Sequence, residues 1–456
     1  MNFRVKVLFL ILALLIPLVT GGPVCSAVAG ETTVSREIPR VLTLGEAVEY
    51  GLAHNQQIHA AEFALSGAEA GVKSVRSGFF PQIDASYGKR RLTNDSKAEY
   101  DLDYLDQSNE TTAVRLTIPL FSGFYNLTAY QRARIGKELA EARLRLTQLQ
   151  LVFDIQRRFL ELIKARDDLR SAESAVTRLE EQRASAEAYC RVGMKPWLAV
   201  LQIKAELAAA EHAKIEAKNA LRVAGVRLNS LLDLPAAAKV EYQGNYVAEV
   251  LFLSNSPEEC GQIALTKRPD VAVAEKNVLL AEKDVALYRS RYYPKLSLDT
   301  DYIMNDIDYD EKNYTDTDRN YWNVGVNVQI NLFAGGRDFF AIKEAHEAVY
   351  RARALARDLE HTIITEVTAG YMIFQDAGER IVSAKKALSA AIEAYDMAST
   401  RFRTDLGTNT ELLDAQTLVT NAEVALTQSV VDQRTALAQL YYAMGIRQLT
   451  LDKVEF

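Results

Sequence analysis

A short stretch in which two adjacent aromatic residues precede a proline occurs twice in this chain. The first copy is Phe79-Phe80-Pro81 and the second is Tyr292-Tyr293-Pro294, with the two prolines 213 positions apart. A helical pattern runs up to each copy, and an alternating pattern follows it. Proline has no N–H group and excludes the preceding residue from the helical region, so each helix must end there. The repeated stretch therefore predicts two helix-to-strand junctions in an internally duplicated chain.

Two segments after each junction alternate apolar with polar residues. They predict four strands, at about residues 82–92, 112–121, 295–304 and 321–333. Period-two segments of about 10 residues are typical of membrane β-barrels, although a soluble sheet with one solvated face has the same pattern. A predicted secretion signal, aromatic residues at the strand ends and a polar residue as large as Arg115 on the inward face favour the membrane interpretation.

Each strand pair returns through a glycine, Gly123 or Gly335, into a proline-free helical run of more than 60 residues. At 1.5 Å per residue such a helix is about 90–100 Å long. Apolar spacings of three and four continue along both runs, with many alanines, and predict coiled-coil packing. The first seam contains Ile135, Leu139, Ala142, Leu146, Leu149 and Phe153, and the second contains Val349, Ala352, Ala356, Leu359, Ile363, Gly370, Phe374, Ala377, Ile381, Ala384, Leu388 and Ala391.

The domain boundaries follow the duplication. Residues 1–29 are predicted to be a signal peptide, 30–232 the first repeat, 233–256 a linker that could hold short strands, and 257–456 the second repeat. The signal peptide combines basic residues, an apolar run and small residues before the cleavage site. No lipobox precedes Cys25, so lipidation is the less favoured alternative.

The composition excludes several classes of function. The net charge of −7 is concentrated in two acidic segments, 92–111 and 304–320, and no basic patch predicts nucleic acid as a partner. The five histidines show no metal-site spacing. The acidic run that begins at Asp306 lacks the glycine of a calcium loop and is interpreted as a solvated loop, with weak cation binding left open. An enzyme is not predicted, nor a cofactor or resident metal, and Cys190 and Cys260 are expected to remain unpaired.

The order, duplication and spacing of these segments make the mature chain resemble the TolC family of outer-membrane efflux ducts. The segments that carry the resemblance are 42–47, 267–270, the two junctions, 332–336 and 411–416. It implies a mainly α-helical fold with a membrane β-barrel part: a homotrimer with a twelve-stranded barrel and a periplasmic α-helical coiled-coil barrel. The residue patterns reach part of this independently. Four strands cannot close a barrel and open edges are not tolerated in lipid, so several chains must share one barrel.

The family places acidic residues at the periplasmic entrance of the duct, at positions that correspond to Glu411 and Asp414. These two residues are three positions apart and therefore lie on one helix face. Glu411 equally suits a capping box with Thr408, so both roles stay open for it, whereas the entrance role is favoured for Asp414. Two departures from the family pattern affect how this entrance closes: Asp405 stands where glycine is usual, and Phe402 where tyrosine is common.

The turns between the long helices resemble the tips that meet a periplasmic adaptor protein in this family. The first turn supplies Arg191, Val192, Gly193 and Met194, and the second supplies Leu406, Gly407 and Thr408. The alternative is a plain turn between two helices.

Two functions from different classes are consistent with these patterns. The first is a passive exit duct of a tripartite efflux or type I secretion system in the outer membrane of a Gram-negative bacterium. Its expected partners are outer-membrane lipid, a periplasmic adaptor and an inner-membrane transporter of the RND, ABC or MFS type. The second is a structural or adhesive protein that uses the coiled coil as a spacer. Inward polar residues such as Asp84, Asn327 and Gln329 favour the duct, because a spacer needs no polar lumen.

Overall fold

The computed structural model describes residues 40–92, 107–309 except 245 and 247, and 317–451. The predicted signal peptide and the central parts of the two acidic segments lie outside these residues. No helix in the described ranges is long and apolar enough to cross a membrane.

The first repeat begins with a short strand and two consecutive helices, continues with two long strands and ends with a helical hairpin. Its elements are β1 (Val41–Leu42), α1 (Leu44–His54), α2 (Gln56–Ser77), β2 (Gln82–Leu92), β3 (Gln107–Phe121), α3 (Tyr125–Arg191) and α4 (Trp197–Leu231). A capping box of Thr43 and Glu46 begins α1. Asn55 separates α1 from α2, because its side chain caps the N–H of Gln57 and also donates to the carbonyl of Leu231.

The second repeat has the same order of long elements. Its elements are β4 (Glu241–Tyr242), α5 (Pro257–Lys267), α6 (Pro269–Arg289), β5 (Lys295–Tyr309), β6 (Thr317–Gln329), α7 (Arg337–Arg403) and α8 (Asn409–Ala443). A capping box of Ser256 and Glu259 begins α5, with Pro257 at its first position. Arg268 separates α5 from α6, where its buried guanidinium donates to Asp270, to Glu366 and to the carbonyl of Ala443.

The two repeats match almost residue for residue. Helices α3 and α7 are each 67 residues long, and α4 and α8 are each 35 residues long. From the long helices onwards the corresponding positions are 212 apart, since α3 begins at 125 and α7 at 337. Before the strands the spacing is 213, because β2 begins at 82 and β5 at 295. The second repeat therefore has one residue fewer between the start of its strand pair and its long helix.

The four long strands form one antiparallel sheet in the order β2-β3-β5-β6. Asp84, Arg115, Asp301 and Asn323 form one row across it, and Ala85, Val114, Tyr302 and Trp322 form a neighbouring row on the opposite face. The apolar face is exposed in the single chain, with Val324, Val326 and Val328 each more than 60% accessible. In the described residues, the outer edges of β2 and β6 have no strand partner.

Three of the four predicted strands have other limits in the structure. β3 begins at Gln107 rather than near 112, and β5 continues to Tyr309 rather than ending near 304. Backbone hydrogen bonds do not depend on side-chain polarity, so polar residues beyond the apolar belt continue the ladder between these strands. β6 spans 317–329 rather than 321–333, because its last pairing, Gln329 with Lys295, uses the first residue of β5.

The largest hydrophobic core lies where the segment between the repeats crosses the helices. Phe159, Phe374 and Tyr441 are almost completely buried there. The Gln433 side chain accepts from the N–H of Leu251 and donates to its carbonyl, which holds this segment against α8. Burial raises the pKa of the Cys260 thiol in the same region. Cys190 and Cys260 are both free cysteines.

Candidate functional site

The two turns at the ends of the long helices share one backbone geometry. In the first turn the N–H of Met194 donates to the carbonyl of Tyr189, and in the second the N–H of Leu406 donates to the carbonyl of Arg401. Each hydrogen bond requires a left-handed residue in between, as is usual where a helix ends. That residue is Gly193 in the first turn, with φ of +82°, and Asp405 in the second, with φ of +63°.

Asp405 therefore occupies the turn position at which glycine has a steric advantage. A left-handed conformation costs a residue with a Cβ atom roughly 1–2 kcal/mol, although aspartate tolerates it better than most. Gly407 does not have a positive φ. Its N–H donates to the carbonyl of Arg401, and an added Cβ would lie 3.0 Å from the Cβ of Arg401.

The Asp405 carboxylate forms an ion pair with Lys195 from the other turn. The Lys195 side chain is only 11% exposed, and its ammonium lies 4.8 Å from the centre of the Phe402 ring. Phe402 is 3% exposed and packs in a small core with Ala186 and Ile203. Phe402 thus joins the two hairpins by packing and a cation–π contact, which need no hydroxyl group.

Further polar contacts connect the two hairpins above the turns. Arg178 on α3 donates to both carboxylate oxygens of Glu423 on α8, at 3.3 and 3.4 Å. Asn409 donates to Gln202 at 3.0 Å. Sequence reasoning missed Lys195, Arg178 and Glu423, because each has its partner more than 200 positions away and no local pattern marks it.

The structure leaves Glu411 and Asp414 exposed on α8, where the next residue after each, Leu412 and Ala415, is buried. The capping box predicted for Glu411 is confirmed: its N–H donates to the Thr408 hydroxyl at 3.2 Å, and its carboxylate accepts from the N–H of Thr408 at 3.3 Å. The cap engages the Glu411 carboxylate, and the Glu411 side chain nevertheless remains exposed. The entrance role of both residues stays a prediction.

Apolar side chains are exposed at the ends of both hairpins. Val192 and Leu406 are more than two thirds exposed, and Met194 is half exposed. Beside Gly193, Arg191 is exposed as well. The first turn of α4 adds Trp197, Leu198 and Leu201, which sequence reasoning did not select. Leu198 and Leu201 are three positions apart on α4, a spacing that would have indicated an apolar helix face next to Met194 in the turn.

Two left-handed residues precede each long helix at the sheet end of the molecule. They are Gly123 and Phe124 in the first repeat, and Gly335 and Gly336 in the second. A Cβ atom on Gly123 would lie 2.8 Å from the carbonyl oxygen of Ser290 and 3.0 Å from the Cβ of Tyr293. The Phe124 ring meets Phe121 and Tyr293 edge-on at 5.1 and 5.3 Å.

The remaining aromatics of the junctions are exposed in the single chain. Phe79, Phe80, Tyr292 and Tyr293 are each between 44% and 54% accessible, and Phe333 reaches 84%. Pro81 and Pro294 each stand directly before a strand, where the predicted helix-to-strand junctions lie. Aromatic residues at this level are typical of the girdle of a membrane β-barrel.

The polar face of the sheet has its own network. Arg115 donates to Asp301 at 2.6 Å, and Thr117 donates to Asp299 at 2.9 Å. Thr111 donates to Asn305 at 2.7 Å. These side chains lie on the face of the sheet opposite to Val324, Val326 and Val328. They satisfy one another's hydrogen-bonding groups across β3 and β5. Among the described residues there is no group of three or more His, Cys, Asp or Glu side chains that could hold a metal ion.

The chain belongs to a family of outer-membrane channels. The sequence profile of the family described as Outer membrane efflux protein matches residues 48–233 and again 261–446, once in each repeat. The fold class, the resemblance to the TolC family and the outer-membrane location are thereby confirmed. The protein is an outer-membrane channel of the efflux type.

Named relatives and solved structures agree with this assignment. The chain is 24% identical over 429 residues to the pyoverdine export outer membrane protein OpmQ of Pseudomonas aeruginosa, covering 88% of this chain and 85% of OpmQ. It is 22% identical over 414 residues to the outer membrane protein TolC of Vibrio cholerae, covering 87% and 91%. Among solved structures, the fold matches CusC with a TM-score of 0.76 at 17% identity, covering 88% and 92% of the two chains. It matches VceC of Vibrio cholerae with a TM-score of 0.73 at 18% identity, covering 88% and 96%.

Proposed function

We propose that three copies of this chain form a single exit duct, which passes substrates delivered by an inner-membrane transporter and a periplasmic adaptor. One observation carries the proposal. Where the first repeat packs against the second, residues are covered, but the residues at the corresponding positions of the other repeat are exposed. A second copy placed by the same repeat geometry would cover them.

The glycines before the long helices illustrate this relation. Gly123 packs against Ser290 and Tyr293 of the second repeat. Its counterpart, Gly335, has the same backbone conformation, but an added Cβ would meet nothing within 4 Å. The residues that correspond to Ser290 and Tyr293 are Ser77 and Phe80, and both are exposed, whereas Ser290 is 3% accessible. Gly335 of one copy is therefore expected to pack against Ser77 and Phe80 of the next.

The helices repeat the same relation. Inside the chain, Lys276 on α6 forms an ion pair with Glu138 on α3 at 2.5 Å. The corresponding positions are Phe63 on α2 and Tyr350 on α7, which are 76% and 59% exposed. An aromatic contact between Phe63 and Tyr350 of adjacent copies would replace the ion pair. These surfaces lie on opposite sides of the chain's helical layer, since α2 packs on α3 and α7 packs on α6.

The open sheet edges agree with a closed assembly. β2 of one copy can pair with β6 of the next, as β3 pairs with β5 inside the chain. Closure removes unpaired backbone groups from the lipid, where each costs several kcal/mol. The family resemblance sets the number of copies at three, and hence twelve strands.

The exposed hairpin ends support the proposed adaptor contact. Val192, Met194 and Leu406 form apolar tips far from the sheet, and the polar sheet face opposite the lipid belt supports a duct rather than a spacer. The relatives' names mention pyoverdine export, antibiotic efflux and toluene efflux, so cargo of different chemistry passes through related channels. We place the selection of cargo in the transporter and adaptor.

The test is cysteine cross-linking between copies. Phe63→Cys with Tyr350→Cys, in a background with Cys190→Ser and Cys260→Ala, is expected to give a ladder that ends at three chains under oxidation. Phe63→Cys with Ile215→Cys is the matched control, because Ile215 is also exposed but lies on a different helix, α4. A ladder that ends at two chains, or cross-links equal to the control, would contradict the proposed assembly.

A further inference from the structure

The charged residues at the outer ends of the four strands are sorted between the two faces of the sheet. These ends lie furthest from the helices, where β2 is followed by β3 and β5 by β6. We call them the outer strand ends: residues 88–92, 107–111, 305–309 and 317–320. Side chains alternate between the faces, and the register shows which of them share a face. In the outer strand ends, every acidic residue lies on the face of Val324, namely Glu110, Asp306, Asp308 and Asp318.

The opposite face, which lines the lumen of the proposed duct, carries Arg90 and Arg319 in the outer strand ends. Arg90 pairs with Asn109 in the ladder, and Arg319 pairs with Asn305. Both arginines are exposed, and neither guanidinium has an ion-pair partner in the part of the chain that the structure describes. Two uncompensated positive charges per copy therefore face the lumen at this level.

The nearest described carboxylates of the lumen face lie closer to the helices and do not cancel this charge. Asp301 and the pairing partner of Arg319 are four residues apart on β5, which is ~13 Å at ~3.3 Å per residue. Asp301 also accepts from Arg115 at 2.6 Å, so its charge is already paired. Asp84 is six residues before Arg90, or ~20 Å along β2. Both separations exceed the Debye length of ~10 Å at 0.1 M salt.

We propose that Arg90 and Arg319 of three copies form an anion-attracting ring at the exit of the duct, which favours solutes with several carboxylate or phosphate groups over cations. The ring rests on the proposed three-copy duct. Six guanidinium groups around a lumen with low-dielectric walls raise the local concentration of anions, and pores that conduct anions or phosphate use such rings. A guanidinium also binds either oxyanion through two parallel hydrogen bonds. The exit would thus be opposite in charge to the entrance predicted for Glu411 and Asp414.

The first experiment measures how tripolyphosphate blocks the ion current through the full-length channel in planar bilayers. The anion is added on the side of the outer strand ends, at 0.1 M salt. Arg90→Gln with Arg319→Gln removes both guanidinium groups and retains polar side chains. This variant is expected to raise the half-blocking concentration at least about tenfold, because the ring no longer concentrates the anion. At 1 M salt, where the Debye length is ~3 Å, the block of the unmodified channel should fade as well.

The matched control changes the other face of the same strand. Lys89→Gln with Arg91→Gln removes as many positive charges per copy, but Lys89 and Arg91 lie on the face of Val324, where Lys89 pairs with Glu110. The half-blocking concentration of this control is expected to change by less than about twofold, since the barrel wall separates these charges from the lumen. Equal loss of block in both variants, or an unmodified channel that tripolyphosphate does not block from this side, would overturn the inference.

The second experiment measures the charge beside Arg90 through the reaction rate of a cysteine. Asn109→Cys places the thiol on the lumen face directly opposite Arg90, in a background with Cys190→Ser and Cys260→Ala. It is treated from the same side with an anionic sulfonate and a cationic ammonium thiosulfonate reagent, and each rate is normalised to that of a small thiol in solution. The ratio of the anionic to the cationic rate is expected to fall at least about threefold when Arg90→Gln is added. An unchanged ratio, or a cationic reagent that reacts faster while Arg90 is present, would contradict the inference, the latter because the two acidic segments would then dominate the field.

The two proposals fail in different ways. Modification of Asn109→Cys is expected to lower the conductance, whereas modification of Ser108→Cys, on the other face, should leave it unchanged. If neither modification lowers the conductance, or the protein forms no trimer, the proposed duct is wrong. If modification of Asn109→Cys lowers the conductance but the rates do not depend on Arg90, only the inference about the ring is wrong.

Discussion

The two repeats differ most clearly at four pairs of left-handed residues. The first repeat has Gly123, Phe124, Gly193 and Asp233 at these positions, and the second has Gly335, Gly336, Asp405 and Gly445. Every pair is 212 positions apart, and in three of the four pairs one repeat has glycine while the other has a residue with a side chain. The backbone turn is thus a property of the architecture, and glycine is one of several ways to satisfy it.

The residues that replace glycine all use their side chains. Phe124 packs against Tyr293, Asp233 accepts from Gln56 at 3.0 Å, and Asp405 pairs with Lys195. Each of these contacts offsets part of the strain of the left-handed conformation, roughly 1–2 kcal/mol. The glycine copies divide into two kinds. Gly445 is closely packed, whereas Gly193 has open space around it in the single chain, and a Cβ added to Gly336 would make only an ordinary contact with the Phe340 ring, at 3.6 Å.

The largest effect is expected on the sheet, where the repeats can be compared at Val326 and Asn327. Their counterparts in the first repeat are Val114 and Arg115. Val326→Arg places a charge on the apolar face and should cost ~2–4 kcal/mol near the middle of the bilayer. Asn327→Arg installs the residue type that the first repeat already has and should be tolerated. The fraction of trimer recovered from outer membranes measures the difference, and equal losses would contradict the assignment of the two faces.

The next largest effect is expected at Gly445. An added Cβ would lie 2.7 Å from backbone atoms of Arg268, and φ is +71°. Gly445→Ala should therefore lower the free energy of unfolding by about 2–3 kcal/mol through strain and overpacking. Asp233→Asn, at the corresponding position, should cost less than about 1 kcal/mol because the position already holds a side chain. Denaturant unfolding followed by circular dichroism compares the two, and similar losses would mean that the close approach at Arg268 is unimportant.

A smaller effect is expected from exchanging the residues at the two turns. Gly193→Asp adds left-handed strain without a lysine opposite, and should cost about 1 kcal/mol. Asp405→Gly removes about 1–2 kcal/mol of strain, but it leaves the Lys195 ammonium, whose side chain is only 11% exposed, without its carboxylate partner, so the two effects should offset each other and the net change should stay below about 1 kcal/mol. Asp405→Asn serves as the control, since it tolerates the same backbone but lacks the charge. Thermal unfolding of the purified protein in detergent is the measurement. A cost for Asp405→Gly larger than that for Gly193→Asp would show that the ion pair outweighs the strain.

The smallest effect on stability is expected from Glu411→Gln with Asp414→Asn, because Gln retains the capping geometry with Thr408. The effect on ions should be clear if these residues ring the entrance. Cation selectivity and block by divalent cations from the periplasmic side should be lost at low salt. In the unmodified protein both should fade as the Debye length falls from ~30 Å at 0.01 M to ~3 Å at 1 M. Block is measured from each side in planar bilayers, since the acidic segments 92–111 and 304–320 carry negative charge as well. Unchanged periplasmic block would leave Glu411 as a helix cap and Asp414 as a surface residue.

Much of the fold was predictable because its signals are local. The helix-to-strand junctions depend on the prolines at 81 and 294, and the helix starts depend on capping residues within four positions of one another. The strand pattern also identified the apolar face, on which Val324, Val326 and Val328 lie. The strand ends were predicted less well, since pairing continues through polar residues such as Gln107 and stops where the partner strand begins.

The sequence by itself determined the duplication, the helical hairpins, the sheet with two unlike faces and the family. Each of these follows from residues close together in the chain, whose backbone preferences and periodicity act before any distant contact forms. Only the tertiary structure decided that Lys195 meets Asp405, 210 positions away, and that Phe402 is buried beneath it. Such pairs depend on which helices pack side by side and in which register, and a single lysine or aspartate in a long helical hairpin has no local mark of its partner.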